Sequence, residues 1–346
     1  MTRERLTING TNKLRMLNAT LMLCAALGGL SISAAQAATI TVFDAPGAIY
    51  TFANSINAGG SATGIYIDGN RVTHSFLRDP SGNITSFDPP GSTSTTASSI
   101  DGGGKIAGYF SDNNNLTFHG FLRKANGTFI SFDAPGAVYT YGNSINAAGA
   151  IAGYYYDSNG KSHGFIRAAN GSFAVFDPAG SLDTEVWSID NGGAVTGYYF
   201  DGNGVQHGFV RDSVGNITSF DPAGSIETSP LGINAAGAIA GYYTDSNSAT
   251  HGFIRASNGS FTVFDPAGST GTQAHAIGNG GKITGYYLDS NGRPHGFVRA
   301  INGSITTFDP PGSDSTSAVS ISGGDIAGGF EDTTDNDQIR GYVRTP

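Results

Sequence analysis

Histidine, aspartate and arginine recur at regular intervals along this chain, and together they could supply acid–base chemistry. Seven aspartates directly follow a phenylalanine, six histidines open a His-Gly-Phe-x-Arg phrase or a variant of it, and seven arginines close such phrases. The histidines are His74, His119, His163, His207, His251 and His295, and the arginines are Arg78, Arg123, Arg167, Arg211, Arg255, Arg299 and Arg344. A His–Asp pair is a common general base. An active site is needed once per protein, however, whereas a residue used in every repeat meets a need of every repeat.

The three repeated sets are therefore interpreted as structural. Asp177 precedes Pro178 and fits the first position of a type I turn. We expect His163 to hydrogen-bond a neighbouring unit or loop. An Arg–Asp contact between adjacent units is an open alternative for the arginines.

Acidic turns raise the separate question of calcium. Turns at 157–160, 201–204 and 289–292 each offer one carboxylate and one amide, whereas calcium needs six or more oxygens. We interpret them as hairpin turns. The most acidic loop contains the weak calcium candidates Asp332, Asp335 and Asp337. The sequence contains no P-loop and no Gly-x-Ser-x-Gly nucleophile motif, and we expect no cofactor.

The elements that position these residues are repeats of 44 or 45 residues. A phrase that begins Phe-Asp starts at Phe43, Phe87, Phe132, Phe176, Phe220, Phe264 and Phe308. Self-similarity at this period is typical of a solenoid or a propeller. The unit at 137–180 contains four short strands separated by Gly- and Asn-rich turns. Four antiparallel strands per repeat indicate the blade of a β-propeller.

The register of the last hairpin in this unit follows from its turn. If Asn170-Gly171 is a two-residue turn, Phe165 stands opposite Phe176 and forms a cross-strand aromatic pair. A turn one residue longer would reverse the faces.

The two ends of the repeat region complement each other. The segment 39–44 matches a fourth strand only, and the C-terminus stops at Tyr342-Val343-Arg344, a third strand. We therefore predict an all-β fold: one domain, 38–346, forming a seven-bladed β-propeller of four-stranded antiparallel blades whose last blade is closed by the N-terminal strand. A β-solenoid is the alternative, but it would need capping repeats, and none is visible.

The units resemble the bacterial extracellular HAF repeats, named for a His-Ala-Phe tripeptide. The resemblance rests on His163-Gly164-Phe165 and on the Ser-Ile-Asn-Ala-Ala-Gly run at 144–149, and it recurs over essentially all of 39–346. The chain departs from the family pattern in having Gly for Ala in the tripeptide and Arg167 where Trp is common. It also has a Phe-Asp-Pro/Ala-Pro/Ala-Gly segment in place of Leu-Gly-x-x-Gly-Gly. The resemblance implies export and a propeller-like fold, and it implies no particular reaction.

The first 37 residues have the pattern of a signal peptide. Four basic residues precede an apolar run from about Met16 to Ile32, and Ala35-Gln36-Ala37 predicts cleavage after Ala37. An uncleaved anchor is the alternative. Cleavage would leave a secreted or periplasmic chain without a membrane span, and without cysteine, because Cys24 is the only one.

The charge of the chain limits its partners. The net charge is −9, and loss of four basic residues and Glu4 with residues 1–37 would make it more negative by three. This sign argues against nucleic acid as a partner. We expect a monomer.

The candidate binding residues lie where the repeats differ. A threonine follows each Pro-Gly segment at a fixed place, and its neighbours vary in a connection expected to border the mouth of a central channel. These candidates are Tyr50, Phe52, Tyr139, Tyr141, Glu185, Trp187, Glu227, Gln273 and His275. Aromatic rings beside carboxylates and amides suit a carbohydrate, with a cell-envelope protein as the other candidate partner. Trp187 could instead be packed between units.

Two other functional classes stay open. A polysaccharide-active lyase or hydrolase would use His275, Glu185 or Glu227 as acid and base. A purely structural envelope protein would use none of them. A histidine within reach of a carboxylate would favour the enzyme, and an open aromatic shelf would favour binding.

Overall fold

The computed structural model describes residues 38–112, 117–335 and 338–346, and in these residues it contains strands and turns without helices. Within that part of the chain, no helical segment has the length and apolar character needed to cross a membrane. The predicted signal peptide, 1–37, lies outside the described residues. The first strands in chain order are β1 (Thr39–Phe43), β2 (Ala48–Ile56), β3 (Ala62–Asp68), β4 (Thr73–Arg78), β5 (Ile84–Phe87), β6 (Ser94–Ile100), β7 (Ile106–Asp112), β8 (Thr117–Arg123), β9 (Phe129–Phe132), β10 (Tyr139–Ile145), β11 (Ile151–Tyr156), β12 (Ser162–Arg167), β13 (Phe173–Phe176) and β14 (Asp183–Ile189).

The remaining strands continue the same order. They are β15 (Val195–Phe200), β16 (Gln206–Arg211), β17 (Ile217–Phe220), β18 (Ser225–Ile233), β19 (Ile239–Asp245), β20 (Thr250–Arg255), β21 (Phe261–Phe264), β22 (Gly271–Ile277), β23 (Ile283–Leu288), β24 (Pro294–Arg299), β25 (Ile305–Phe308), β26 (Ser313–Ser322), β27 (Asp325–Asp332) and β28 (Gln338–Thr345).

The strands pair antiparallel in four-stranded units. From β2 onward, each run of four successive strands pairs in chain order, as in β14-β15-β16-β17. The strands β26-β27-β28 receive β1 as their fourth member, with Thr39 opposite Thr345 and Phe43 opposite Gly341. Two of the sheets have eight strands because single parallel bridges join neighbouring units, Tyr139 with Phe118 and Tyr50 with Ile339. The predicted all-β fold of four-stranded antiparallel sheets is confirmed.

The predicted opposition of Phe165 and Phe176 is wrong by one residue. Phe165 stands opposite Val175, and Phe176 stands opposite Gly164. The turn holds three residues, because the Gly171 amide donates to the Ala168 carbonyl at 2.9 Å while the Ala168 amide donates to the Ser172 carbonyl at 2.8 Å. Gly171 has a φ of +92°, which glycine adopts at low cost. The extra residue puts the two phenylalanines on opposite faces of the sheet.

The repeated phenylalanines instead pack between successive units. Phe165 is fully buried and meets Phe132 of the preceding unit edge to face, with ring centroids 6.3 Å apart. Phe176 meets Phe209 of the following unit in the same way at 6.1 Å. Such pairs contribute about 0.5–1.5 kcal/mol beyond the apolar area that they bury.

Two further contacts repeat between units. The guanidinium of a third strand stacks over the fourth-strand phenylalanine of the preceding unit, as Arg167 does over Phe132 at 4.9 Å. A first-strand serine accepts a hydrogen bond from the next first strand, as Ser144 Oγ does from the Ile189 amide at 3.3 Å. The Arg–Phe stacks are Arg78–Phe43, Arg123–Phe87, Arg167–Phe132, Arg211–Phe176, Arg255–Phe220, Arg299–Phe264 and Arg344–Phe308. Among the described residues, these arginines stack on phenylalanines and do not form the alternative Arg–Asp contact between adjacent units.

Candidate functional site

The first strand of every unit carries a β-bulge that presents one unpaired residue. In β14 the pairing with β15 shifts between Val186 and Ser188, so that Trp187 is the extra residue. A bulge bends the strand and redirects the side chain of its extra residue. Three first strands have a second shift nearer their start, but the bulge at this position is common to all seven units. Its extra residues are Asn54, Ser98, Asn143, Trp187, Leu231, His275 and Val319, and all of them line one cavity.

This cavity, called the main cavity below, has a volume of about 600 Å³. Besides the bulge residues, it is lined by Phe52, Thr96 and Tyr141 from first strands. Second strands contribute Ile65, Tyr109, Tyr154, Tyr198 and Tyr242. Its wall therefore combines aromatic rings with amide and hydroxyl groups, and the described residues that form it include no lysine, arginine, aspartate or glutamate.

The aromatic rings of the wall include two sets in mutual contact. Tyr141 stacks on Tyr154 with centroids 5.0 Å apart and meets Tyr109 edge to face at 4.9 Å. Trp187 stacks on Tyr198 at 6.3 Å, and 37% of its surface is exposed. Trp187 thus presents its ring to the cavity rather than being enclosed between units.

Glu185 lies next to the wall residue Tyr198 but does not itself line the cavity. The Tyr198 hydroxyl donates to Glu185 Oε2 at 2.6 Å. Burial raises the pKa of Glu185, against the lowering effect of that hydrogen bond. Burial, followed by the nearby charge of Glu185, raises the pKa of both Tyr154 and Tyr198, and burial raises the pKa of Tyr141 to about 12. The tyrosines are therefore neutral hydrogen-bonding groups at neutral pH.

His275 lies in the cavity wall without an acid–base partner. Its ring stacks on Tyr286 at 5.4 Å, and its buried Nε2 has no hydrogen-bond partner. Burial lowers the pKa of His275 to about 4, so the ring is neutral at neutral pH. In the part of the chain that the structure describes, no carboxylate pairs with His275. The arrangement that would favour an enzyme is not formed around this residue.

The structure brings some of the predicted residues together and separates others. Phe52, Tyr141, Trp187 and His275 line the main cavity. Gln273 lies behind it in the same way as Glu185, because its Oε1 accepts a hydrogen bond from the Tyr286 hydroxyl at 2.7 Å.

Like Glu185 and Gln273, three further predicted residues do not line the cavity. Tyr50 stacks on the lining residue Phe52 at 6.4 Å, and Tyr139 meets Phe118 at 5.8 Å. Glu227 is exposed beside Thr244, whose hydroxyl donates to it at 3.4 Å.

The sequence interpretation missed the second-strand tyrosines of the wall. Tyr109, Tyr154, Tyr198 and Tyr242 each follow a glycine at the same place in successive repeats. The repeated Gly-Tyr pair could have indicated these wall residues, but residues that recur regularly are interpreted as structural.

The repeated His–Asp pairs belong to the scaffold. His163 Nδ1 lies 2.6 Å from Asp177 Oδ2, and its Nε2 lies 3.7 Å from Asp157 Oδ2. Each of the six repeated histidines is held between two aspartates in this manner. In the unit completed by β1, Arg340 takes the place of histidine and donates to Asp44 at 2.7 Å and to Asp332 at 3.1 Å.

Of the calcium candidates, Asp332 has its carboxylate engaged within the protein. Asp332 Oδ1 accepts hydrogen bonds from the amide and hydroxyl of Thr334, and its Oδ2 accepts one from Arg340. The Asp335 amide donates to the Asp332 carbonyl. Asp337 lies outside the described residues. Among the described residues, no group of three acidic, histidine or cysteine side chains could hold a metal ion.

Comparison with solved structures shows which known folds the chain resembles. The chain is similar to a streptogramin B lyase, with a TM-score of 0.57 and 14% identity over 88% of this chain and 97% of that one. It is also similar to the β-propeller domain of the trilobed protease from Pyrococcus furiosus, with a TM-score of 0.58 and 12% identity over 85% and 96% of the two chains. The BP39L lectin from Burkholderia pseudomallei matches with a TM-score of 0.55 and 10% identity over 86% and 95%.

These similarities show a propeller-like fold and carry no activity across, since identities are low. No family model matches the chain, and no curated protein matches it.

Proposed function

We propose that the seven four-stranded units form one closed ring, a seven-bladed β-propeller in which β1 completes the last blade. The contacts that join successive units also join the last unit to the first. Arg78 stacks over Phe43 of β1 at 5.1 Å, and the Ile56 amide donates to Ser320 Oγ at 3.1 Å. A closed ring leaves no blade with an uncovered face.

We infer that the main cavity binds a small carbohydrate and that the protein does not transform it. The observation that carries this inference is the composition of the cavity wall. Aromatic rings, with Trp187 open to solvent, lie beside the amides of Asn54 and Asn143 and the hydroxyls of Thr96 and Ser98. Such a wall can stack on the apolar face of a sugar ring and hydrogen-bond its hydroxyls. The isolation of His275 from carboxylates supports binding over catalysis.

The single tryptophan gives a direct test of this function. Trp187 is the only tryptophan in the chain and it lies in the cavity wall, so its emission reports on the cavity alone. A glycan array would select the sugars, and titration of the purified protein with them should change this emission. Calorimetry should show that Trp187→Ala and Tyr141→Ala each weaken binding about tenfold, the loss of one aromatic contact.

Ile301→Ala is the matched control. Ile301 is 78% exposed and does not line the main cavity, so this variant should bind as the unaltered protein does. Absence of binding to every sugar tested, or equal binding after both aromatic substitutions, would contradict a carbohydrate function.

A further inference from the structure

Glu185 is a partly buried carboxylate that lacks a cationic partner. Its pKa is raised by burial, and the other charged group acting on it is Asp183, also an acid. Asp183 itself is engaged, because its Oδ1 accepts hydrogen bonds from the Ser162 amide at 2.8 Å and from the Ser162 hydroxyl at 3.2 Å. Among the described residues, Oε1 of Glu185 accepts no hydrogen bond, while Oε2 accepts the one from Tyr198. A partly buried carboxylate attracts a positively charged group more strongly than a fully exposed one does.

The rings around Glu185 suit a positive charge. Tyr154 and Tyr198 both line the main cavity, and the charge of Glu185 contributes to the raised pKa of each hydroxyl. Trp187 stacks on Tyr198 with ring centroids 6.3 Å apart. The faces of tyrosine and tryptophan attract cations, most strongly where water is excluded. Within the described part of the chain, the cavity wall supplies no cation of its own, because the residues that line it include no lysine or arginine and burial keeps His275 neutral.

We propose that the ligand of the main cavity carries an ammonium group, which binds among Tyr154, Trp187 and Tyr198 and is attracted by the negative charge of Glu185 next to Tyr198. This inference rests on the proposed binding function of the same cavity and adds the charge of the ligand. Two sources share this chemistry, an amino sugar and a free quaternary amine. A quaternary amine would use the aromatic faces and the charge of Glu185, and an amino sugar would add hydrogen bonds to polar groups of the cavity wall such as Asn143.

The pH dependence of binding has a defined sign. An ammonium ion is attracted by the ionised form of Glu185, and burial raises the pKa at which that form appears. Affinity should therefore fall as the pH is lowered through that raised pKa. A neutral sugar should show no such loss from Glu185.

The experiment compares probes that differ in charge and little in shape. Full-length protein is titrated at neutral pH with glucosamine, N-acetylglucosamine, glucose and choline, with Trp187 emission and calorimetry as readouts. Glucosamine should bind at least about tenfold more tightly than glucose. Glu185→Gln keeps the shape of the side chain and should remove that difference, while thermal unfolding verifies that the variant is folded.

Glu331→Gln is the matched control for charge, because Glu331 lies on β27 and accepts its hydrogen bond from Ser315, which does not line the main cavity, whereas Glu185 accepts one from the wall residue Tyr198. It should leave the preference for glucosamine unchanged. Equal binding of glucose and glucosamine, unaffected by Glu185→Gln, would overturn the cation proposal and leave the carbohydrate function standing. Binding of choline that depends on Glu185, with no sugar bound, would support the cation proposal and overturn the carbohydrate function. Failure of every probe to bind would overturn both.

Discussion

At the scale of single residues, one repeated glycine makes the cavity-forming bulge sterically feasible. A Cβ at Gly153 would lie 1.9 Å from the Tyr141 carbonyl oxygen, a distance that no structure tolerates. The equivalent glycine of every unit meets the equivalent carbonyl in the same way, at 1.9–2.3 Å. The bulge brings this carbonyl oxygen close to the neighbouring strand, so the residue that faces it there must lack a side chain. These glycines are Gly64, Gly108, Gly153, Gly197, Gly241, Gly285 and Gly328.

Gly153→Ala should therefore destabilise the protein by about 3 kcal/mol or more, because the clash is with backbone and cannot be relieved by a side-chain rotation. Gly202→Ala is the matched control, since a Cβ at Gly202 would meet nothing within 4 Å. Urea unfolding followed by circular dichroism measures both. Equal free energies of unfolding for the two variants would show that the close approach at Gly153 does not exist.

At the scale of elements, the stack of arginine on phenylalanine fastens each unit to the one before it. Arg167 is 7% exposed, lies 4.9 Å above the Phe132 ring and donates to the Ala168 carbonyl at 3.4 Å. Lysine carries the same charge but lacks the planar group that stacks. The interface between units depends on shape as well as charge.

Arg167→Lys should accordingly lower the free energy of unfolding by about 1–2 kcal/mol. Arg293→Lys should change it by less than about 0.5 kcal/mol, because the Arg293 side chain is 59% exposed and its ion pair with Asp314 is a surface contact. Thermal unfolding of the two variants beside the unaltered protein gives the comparison. A larger loss of unfolding free energy for Arg293→Lys than for Arg167→Lys would mean that the stacks contribute little to the interfaces between units.

At the scale of the whole molecule, the first and last strands of the described residues meet in one sheet. The pairing of β1 with β28 buries Phe43, and Asp44 accepts hydrogen bonds from Arg340 at 3.0 and 2.7 Å. Removing β1 would expose the edge of β28 and leave Arg340 with a single carboxylate partner. Exposed edges promote pairing with other chains.

Deletion of residues 39–44 should cost at least about 3 kcal/mol of unfolding free energy, the cost of losing one buried phenylalanine, and should promote aggregation. Asp44→Asn is the matched control, because it weakens the ion pair but keeps the strand. Unfolding curves and light scattering distinguish the two. If the deletion costs no more than Asp44→Asn, β1 does not hold the molecule closed.

Much of this fold could be predicted from the sequence, because local patterns specify it. The 44- or 45-residue repeat, the alternating strands and the Gly- and Asn-rich turns predict four-stranded antiparallel units. The partial strands at the two termini predicted the pairing of β1 with β28. The signal peptide, the HAF resemblance, the carbohydrate and the monomeric state stay predictions, the first because it lies outside the described residues.

The cavity was only partly predictable. First-strand candidates such as Trp187 and His275 were recognised because they vary between repeats. The wall tyrosines Tyr154 and Tyr198 were missed because they repeat, and repetition does not reveal that a side chain reaches a shared cavity.

The sequence by itself determined the repeat, the strands and the residue types available for a site. The tertiary structure decided which of them meet. One extra turn residue, Gly171, reverses the face of Phe176 and moves its contact from Phe165 to Phe209 of the next unit. The bulge at Trp187 likewise directs that ring to the cavity and leaves Glu185 behind it, bonded to Tyr198. Contacts between units depend on strand register and on the packing of units more than 40 residues apart in sequence, which no local pattern encodes.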